Sequence, residues 1–288
     1  GLRLGGRGVY ALDITDPAEV TEANANKAVL WEFNSDTPAV TSVGDPADLG
    51  YTFGQPNIGR LASGKWVVLV PGGYFPDCSK SDRPPNCVTL AAASKGYSAL
   101  FGLDAQTGAL IRELKTLTTI SGVTSGGLSS VVLGDYNNDQ IDDVAFAGDL
   151  NGNLWRFDLT DASPANWQSH VTLAYQPVTQ GAQPITAMPR LFPDPATNRF
   201  IVVFGTGKYI GAADNTSNSA STQSIYGIRD KLDSSSGTPI TAVHADLQQQ
   251  TLYQATSANG VNTVRGLTDN ALAVTQNGWY IDLNLTSS

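Results

Sequence analysis

Charge is scarce in this 288-residue chain: Asp, Glu, Lys and Arg together make up 15% of it, against roughly 25% in an average soluble domain. Lys and Glu ordinarily fill exposed helix faces. Their shortage argues against a mainly helical protein and for strands with Ser-, Thr-, Asn- and Gln-bearing surfaces. Basic residues are the scarcer sign, 17 against 26 acidic, for a net charge of −9. Neutralising phosphates takes clustered Lys and Arg, so nucleic acid is not an expected partner. No apolar run approaches the ~18 residues of a membrane-spanning helix, so no transmembrane segment is expected. The only histidines, His170 and His244, stand 74 residues apart with no Ser or Cys nucleophile motif beside either, which leaves little basis for nucleophilic catalysis. GTGKY (205–209) follows a strand-like run and lacks the G-x-x-x-x-G-K-[ST] spacing of a phosphate loop, so it reads as a turn. The opening, GLRLGGRGVYALDI, has no signal-peptide pattern and reads as mid-domain sequence. The expectation is a segment of a longer protein.

Cysteine is almost absent. Cys78 and Cys87 sit nine apart in the Pro-rich stretch PDCSKSDRPPNC. Two thiols without further sulfur or a nearby His do not make a zinc site. A loop disulfide within an insertion at 75–97 is the better reading, worth about 2–3 kcal/mol by loop-closure entropy and pointing to an oxidising compartment.

What the chain does have is a repeat. A short aromatic-bearing strand ending in Asp and a turn occurs as GVYALDITDP (8–17), ALFGLDAQTG (99–108) and NLWRFDLTDA (153–162), with weaker copies SIYGIRDKLD (224–233) and GWYIDLNL (278–285). The aromatics are Tyr10, Phe101, Trp155, Tyr226 and Tyr280, at spacings of 91, 54, 71 and 54. Strand-like runs precede most copies, and PNIGRL, KWVVLV, SALFGLD and LIRELKT read as one four-stranded unit. A fixed strand motif at variable long spacing favours propeller blades with loop insertions over a β-sandwich. The expected division is a partial blade at 1–48, blades at 49–126, 127–184 and 185–250, and a partial blade at 251–288.

The segment LGDYNNDQIDDVAFAGDLNGNLWRFDL (133–159) carries site chemistry. Asp135, Asn137, Asp139 and Asp143 occupy positions 1, 3, 5 and 9 of a loop, with the Ile141 carbonyl at position 7. Hard oxygen donors in this number and spacing suit Ca²⁺ better than Mg²⁺, which demands near-octahedral geometry, or Zn²⁺, which prefers nitrogen and sulfur. Gln140 at position 6 and Phe146 at position 12 exclude an EF-hand. Asp142 is expected to face solvent, and DLNGN (149–153) reads as a hairpin turn.

The loop at 133–148 resembles the calcium loops of integrin-like propellers. The wider set of motifs resembles one family, the C-terminal propeller of the PilY1/PilC-type tip adhesins of bacterial type IV pili. The matching stretches are GGRGVYALDITDP, YTFGQPNIGRLASGKWVVLVPGGY, FGLDAQTGALI, GDYNNDQIDDVAFAGDLNGNLWRFDL, VVFGTGKYI, SIYGIRD and GWYIDL. The resemblance implies an all-β, modified, quinoprotein-like β-propeller of which this chain is the C-terminal part. It also implies Ca²⁺ on Asp135, Asn137, Asp139, Ile141 and Asp143, with the ion linked to pilus extension or retraction, twitching motility and adhesion. The family location is the cell surface or pilus tip, reached through the periplasm and outer membrane. The implied partners are the pilus machinery or minor pilins, with any host or surface receptor engaged through regions absent here. Two alternatives stay open. The Y-A-L-D strands also resemble quinoprotein dehydrogenase blades, which hold pyrroloquinoline quinone, although the regular Trp-docking pattern and adjacent cysteines are missing. A metal-free scaffold of the BamB type would lack the acidic loop.

Overall fold

Runs such as KWVVLVP and SALFGLD are apolar at nearly every position, a pattern that suits strands covered on both faces. A computed structural model describes residues 1–74, 96–117, 119–211, 214, 221–256, 260, 263–284 and 286–287. Cys78 and Cys87, with the disulfide expected between them, lie outside the described residues. The regular structure of the described residues is mainly short strands, joined by turns and short 3-10 helices, with one turn of α-helix at Ala25–Ala28.

The first sheet is a ribbon of β1 (Gly8–Leu12) and β2 (Val29–Asn34). The second is an antiparallel meander of β3 (Asn57–Arg60), β4 (Trp66–Pro71), β5 (Ala99–Asp104) and β6 (Leu110–Lys115). The third repeats that meander with β7 (Leu128–Gly134), β8 (Val144–Asp149), β9 (Leu154–Asp158) and β10 (Val171–Gln176). The fourth begins alike with β11 (Arg190–Asp194), β12 (Arg199–Gly205) and β13 (Ser224–Arg229).

Later segments return to finish these sheets. β14 (Ala242–Val243) adds in parallel to β10, and β15 (Leu247–Gln250) joins the fourth sheet. A small outer sheet holds β16 (Leu252–Thr256), β17 (Thr263–Leu267) and β19 (Thr286–Ser287). The last motif-bearing strand, β18 (Gly278–Asp282), lies between β13 and β15. This departs from the sequence-based division, which set 251–288 apart and ended a blade at 250. The open edge of β13 needs a partner, and Gly227 and Gly278 allow β18 to reach it. A Cβ on Gly278, whose φ is +149°, would stand 2.2 Å from the Gly227 carbonyl oxygen.

The sheets stack face to face. Val68, Val70, Phe101 and Leu103 of the second sheet pack on Val9, Trp31 and Phe33 of the first. Val67, Leu69 and Leu100, on the opposite face, pack on Val131, Ala145, Trp155 and Phe157 of the third. Val144, Phe146 and Tyr175 of the third then meet Val202, Phe204, Tyr226 and Tyr280 of the fourth. Alternation along each strand thus divides one apolar run between two interfaces, each buried Val, Leu or Phe contributing about 1.5–3 kcal/mol. Of the five motif aromatics, Phe101, Trp155 and Tyr226 are fully buried and Tyr280 nearly so. Tyr10 points outward, 49% exposed, because Val9 takes the inward position of β1. In the three full copies the Asp that ends the motif organises the turn as its spacing suggests: Asp13 Oδ1 accepts from Thr15 N–H, Asp104 Oδ1 from Gln106 and Thr107, and Asp158 Oδ1 from Thr160.

Candidate metal centre

The acidic loop joins β7 to β8 on the third sheet, beside its junctions with the second and fourth. Its polar side chains first satisfy the loop's own backbone. Asp135 Oδ1 accepts from the N–H groups of Asn137 (3.1 Å) and Asn138 (2.6 Å), and its Oδ2 accepts from Gln140 N–H (2.8 Å). Asn137 Oδ1 accepts from Asp139 N–H at 3.1 Å, and Asp139 Oδ1 from Ile141 N–H at 2.8 Å. Asp143 Oδ2 closes the turn by accepting from Tyr136 N–H at 2.8 Å. Asn138 and Gln140 both adopt left-handed backbone, φ +66° and +69°, which winds the chain tightly between Asp135 and Asp143. These bonds gather Asp135, Asn137, Asp139, Ile141 and Asp143 in one turn.

Electrostatically the turn is crowded with one sign. Burial raises the Asp143 carboxyl above the usual range, and Asp135, Asp139 and Asp158 raise it further against the opposing Tyr136 N–H. Asp142 rises to about 6 through burial first and then through Asp135 and Asp143. Among the described residues none of Asp135, Asp139, Asp142 and Asp143 is ion-paired with Lys, Arg or His. Counting only His, Cys, Asp and Glu, no group of three among the described residues is gathered so as to hold a metal. The turn offers three carboxylates, the Asn137 amide and the Ile141 carbonyl, but Asp135, Asp139 and Asp143 are not drawn onto one point, and Asp139 Oδ2 instead accepts from Asn137 Nδ2 at 3.0 Å. The chemistry of this donor set, all oxygen and unneutralised, fits a hard divalent cation.

Asp142 departs from expectation. It does not project into solvent but presses on the second sheet: its N–H donates to the Arg60 carbonyl at 2.8 Å, and a Cβ on Gly59 would meet its Oδ2 at 2.2 Å. The glycine in β3 makes room for the carboxylate. The period-2 pattern placed Asp142 outside the turn, but only the neighbouring sheet decides what it meets there. DLNGN is a hairpin turn, with Asp149 N–H donating to the Asn153 carbonyl at 3.0 Å and Gly152 at φ +89°.

Sequence reasoning also missed the groups behind the loop. Tyr136 donates its hydroxyl to Asp230, which sits just past β13. Arg156, 2% exposed, donates from Nε to Asp230 Oδ1 at 3.1 Å and from Nη2 to Asp158 Oδ2 at 3.0 Å. Burial and Asp230 push the Tyr136 phenol up, against the opposing pull of Arg156, so it remains a donor. The visible signal was a lone Arg inside the apolar run LWRFDL.

A second polar cluster lies on the second sheet, in a cleft of about 710 Å³ between residues 39–45 and β6. Lys115 Nζ pairs with Asp48 at 2.9 Å and Glu113 at 3.6 Å, one ammonium for two buried carboxylates. Glu113 Oε2 also accepts from Asp45 N–H at 2.8 Å, fastening the 40–45 turn to β6. Burial and then Asp48 raise the Glu113 carboxyl from 4.5 to about 8, with Lys115 opposing. The folded chain therefore holds this proton more tightly than the unfolded one. Its stabilising share is complete below about pH 4.5 and is lost as pH rises to about 8. The denaturation midpoint in urea is expected to fall across that window, and Glu113→Gln, which mimics the protonated acid, is expected to flatten the fall. Equal slopes in both proteins would refute the assignment.

Face-to-face antiparallel sheets carrying an oxygen-rich loop at a sheet junction define a β-propeller domain with a candidate cation loop. A family model described as the PilY1 β-propeller domain matches residues 1–265. The type IV pilus biogenesis factor PilY1 of Pseudomonas aeruginosa strain PAO1 is 36% identical over 314 aligned residues, covering 98% of this chain and 24% of that protein. A PilY1 homolog of Xylella fastidiosa strain Temecula1 is 31% identical over 98% of this chain and 18% of that protein. The crystal structure of the P. aeruginosa PilY1 C-terminal domain superposes with a TM-score of 0.71 at 33% identity, covering 99% of this chain and 57% of that one. The chain belongs to the PilY1 β-propeller family. It spans about a quarter of the length of the first curated relatives it matches.

Proposed function

We propose that this domain serves type IV pilus biogenesis as a calcium-responsive propeller, with Asp135, Asn137, Asp139, the Ile141 carbonyl and Asp143 as the ligands. The observation that supports it most is the unneutralised crowding of carboxylates in a turn whose backbone is already wound by Asx hydrogen bonds. A bound Ca²⁺ supplies charge neutralisation there. Asp135 and Asp143 hold the two ends of the turn together, while Asn137 and Asp139 set its middle. The relatives carry the name of pilus biogenesis factors, a non-enzymatic role. On this reading the domain acts at the cell surface or pilus tip with the pilus machinery or minor pilins, and shifts pili between extension and retraction, with effects on twitching motility and adhesion.

Titration with CaCl₂ is expected to show one site, absent in Asp139→Ala. A ligand bound only by the folded state stabilises it by about 2.7 kcal/mol at 100 times its dissociation constant. The wild-type melting temperature is therefore expected to rise with calcium and fall with chelator, and that of Asp139→Ala to ignore both. Wild-type melting that is indifferent to calcium and chelator would overturn the reading.

A further inference from the structure

Tyr136 belongs to two structures at once. Its backbone is part of the acidic loop: it follows Asp135, and its N–H donates to Asp143 Oδ2 at 2.8 Å. Its side chain is part of the contact between the third and fourth sheets. The hydroxyl donates to Asp230 and accepts from Arg156 Nη2 at 3.3 Å. The ring stacks on Phe200 of β12 with centroids 5.2 Å apart, and the Arg199 guanidinium lies 4.5 Å from its centroid. Arg199 in turn stands 3.6 Å from Asp230, whose own N–H donates to the Phe200 carbonyl at 2.8 Å. Arg156 continues to Asp158, and Leu159 N–H returns to the Asp143 carbonyl at 2.8 Å. The circuit from loop to fourth sheet and back is closed by hydrogen bonds.

We infer that Tyr136 is a positioning residue that couples the conformation of the acidic loop to the packing of the fourth sheet on the third. The inference rests on the calcium reading above. A phenol ring is rigid and this one is wedged between Phe200 and Arg199, so its hydroxyl cannot stay on Asp230 while its backbone moves freely with Asp143. A loop fixed in one conformation therefore fixes the sheet contact, and a loose loop loosens it. The coupling is reciprocal: whatever steadies the Asp230 contact raises the loop's affinity for its cation by the same factor. Regulation by the loop would thus reach the fourth sheet through Arg199, Phe200 and Asp230, the last of them 94 residues after Tyr136.

Tyr136→Phe removes only the hydroxyl and keeps the stacked ring. Partners that orient metal ligands typically change affinity by about 10–100-fold when lost, so the variant is expected to bind Ca²⁺ roughly 10-fold more weakly in calorimetric titration. Amide hydrogen exchange supplies the second readout. Calcium is expected to slow exchange across 199–205 in the wild type and to leave that segment unaffected in Tyr136→Phe. Equal affinity in the two proteins, or no calcium effect on 199–205 in a wild type that binds the ion, would overturn the coupling alone. A wild type that binds no calcium would overturn the calcium reading and, with it, the coupling.

Discussion

Replacing Asp149 by Ala is expected to cost about 3–5 kcal/mol and to lower the thermal midpoint by about 10 °C. Asp149 closes β8 and is fully buried. Its carboxylate accepts from Trp155 Nε1 at 2.8 Å, Asn153 Nδ2 at 2.8 Å, Ser125 Oγ at 2.7 Å and the N–H groups of Asn151 and Asn153, each at 2.9 Å. Ser125 passes the connection to Ser98 at 2.7 Å, and Ser98 accepts from Gly127 N–H at 2.6 Å. Burial pushes the carboxyl up and these donors pull it back. Truncation leaves several donors unpaired where Trp155 and Asn153 are themselves fully buried, and each such group costs about 1–3 kcal/mol. Asp149→Asn keeps one acceptor oxygen but turns an amide NH₂ toward the other donors, so it is expected to fall between Ala and wild type. Urea unfolding that places Asp149→Ala within about 1 kcal/mol of wild type would show that the cluster does not hold the β8–β9 turn.

Asp230→Ala is expected to be comparably severe, about 3–5 kcal/mol, because it strands a buried guanidinium. Arg156 and Asp230 are 2% and 4% exposed. Arg156 would keep Asp158 as its one carboxylate partner, with the Tyr136 hydroxyl as a further acceptor, while Tyr136 would lose the acceptor of its hydroxyl. The cost measures an uncompensated charge and not the net worth of the ion pair. The double variant Arg156→Met, Asp230→Ala is therefore expected to recover part of the loss, since it buries no unpaired charge. A double variant no more stable than the single one, measured as a full double-mutant cycle, would show that shape and not charge governs this junction.

Much of the architecture was legible along the chain. The central strands β4, β5 and β8 are nearly uninterrupted apolar runs, and local chemistry suffices to end a strand where Asp104 or Asp158 captures the next amides. The acidic loop was legible for the same reason: Asp135, Asn137, Asp139 and Asp143 interact chiefly with backbone within nine residues of one another. Asp142 was misread because its burial comes from Gly59, some eighty residues earlier. The place of β18 was misread because its pairing with β13 depends on two glycines, Gly227 and Gly278, whose lack of a side chain gives no periodic signal.

By itself the sequence determined an all-β chain, the repeated strand-and-turn unit and an oxygen-rich loop between β7 and β8. Each of these is written in residues close together, where spacing and turn chemistry act directly. Only the tertiary structure decided which late strands complete which sheet, that Asp149 is buried among five donors, and that Tyr136, Arg156 and Asp230 meet behind the loop. The completion of the sheets and the Tyr136–Asp230 contact depend on partners tens of residues away, while Asp149, most of whose donors are near in sequence, is buried by the sheets that exclude water around it. The low charge content that marks the composition has its counterpart here: several of the few charged groups are spent in buried contacts between sheets, where one misplaced carboxylate or guanidinium costs most.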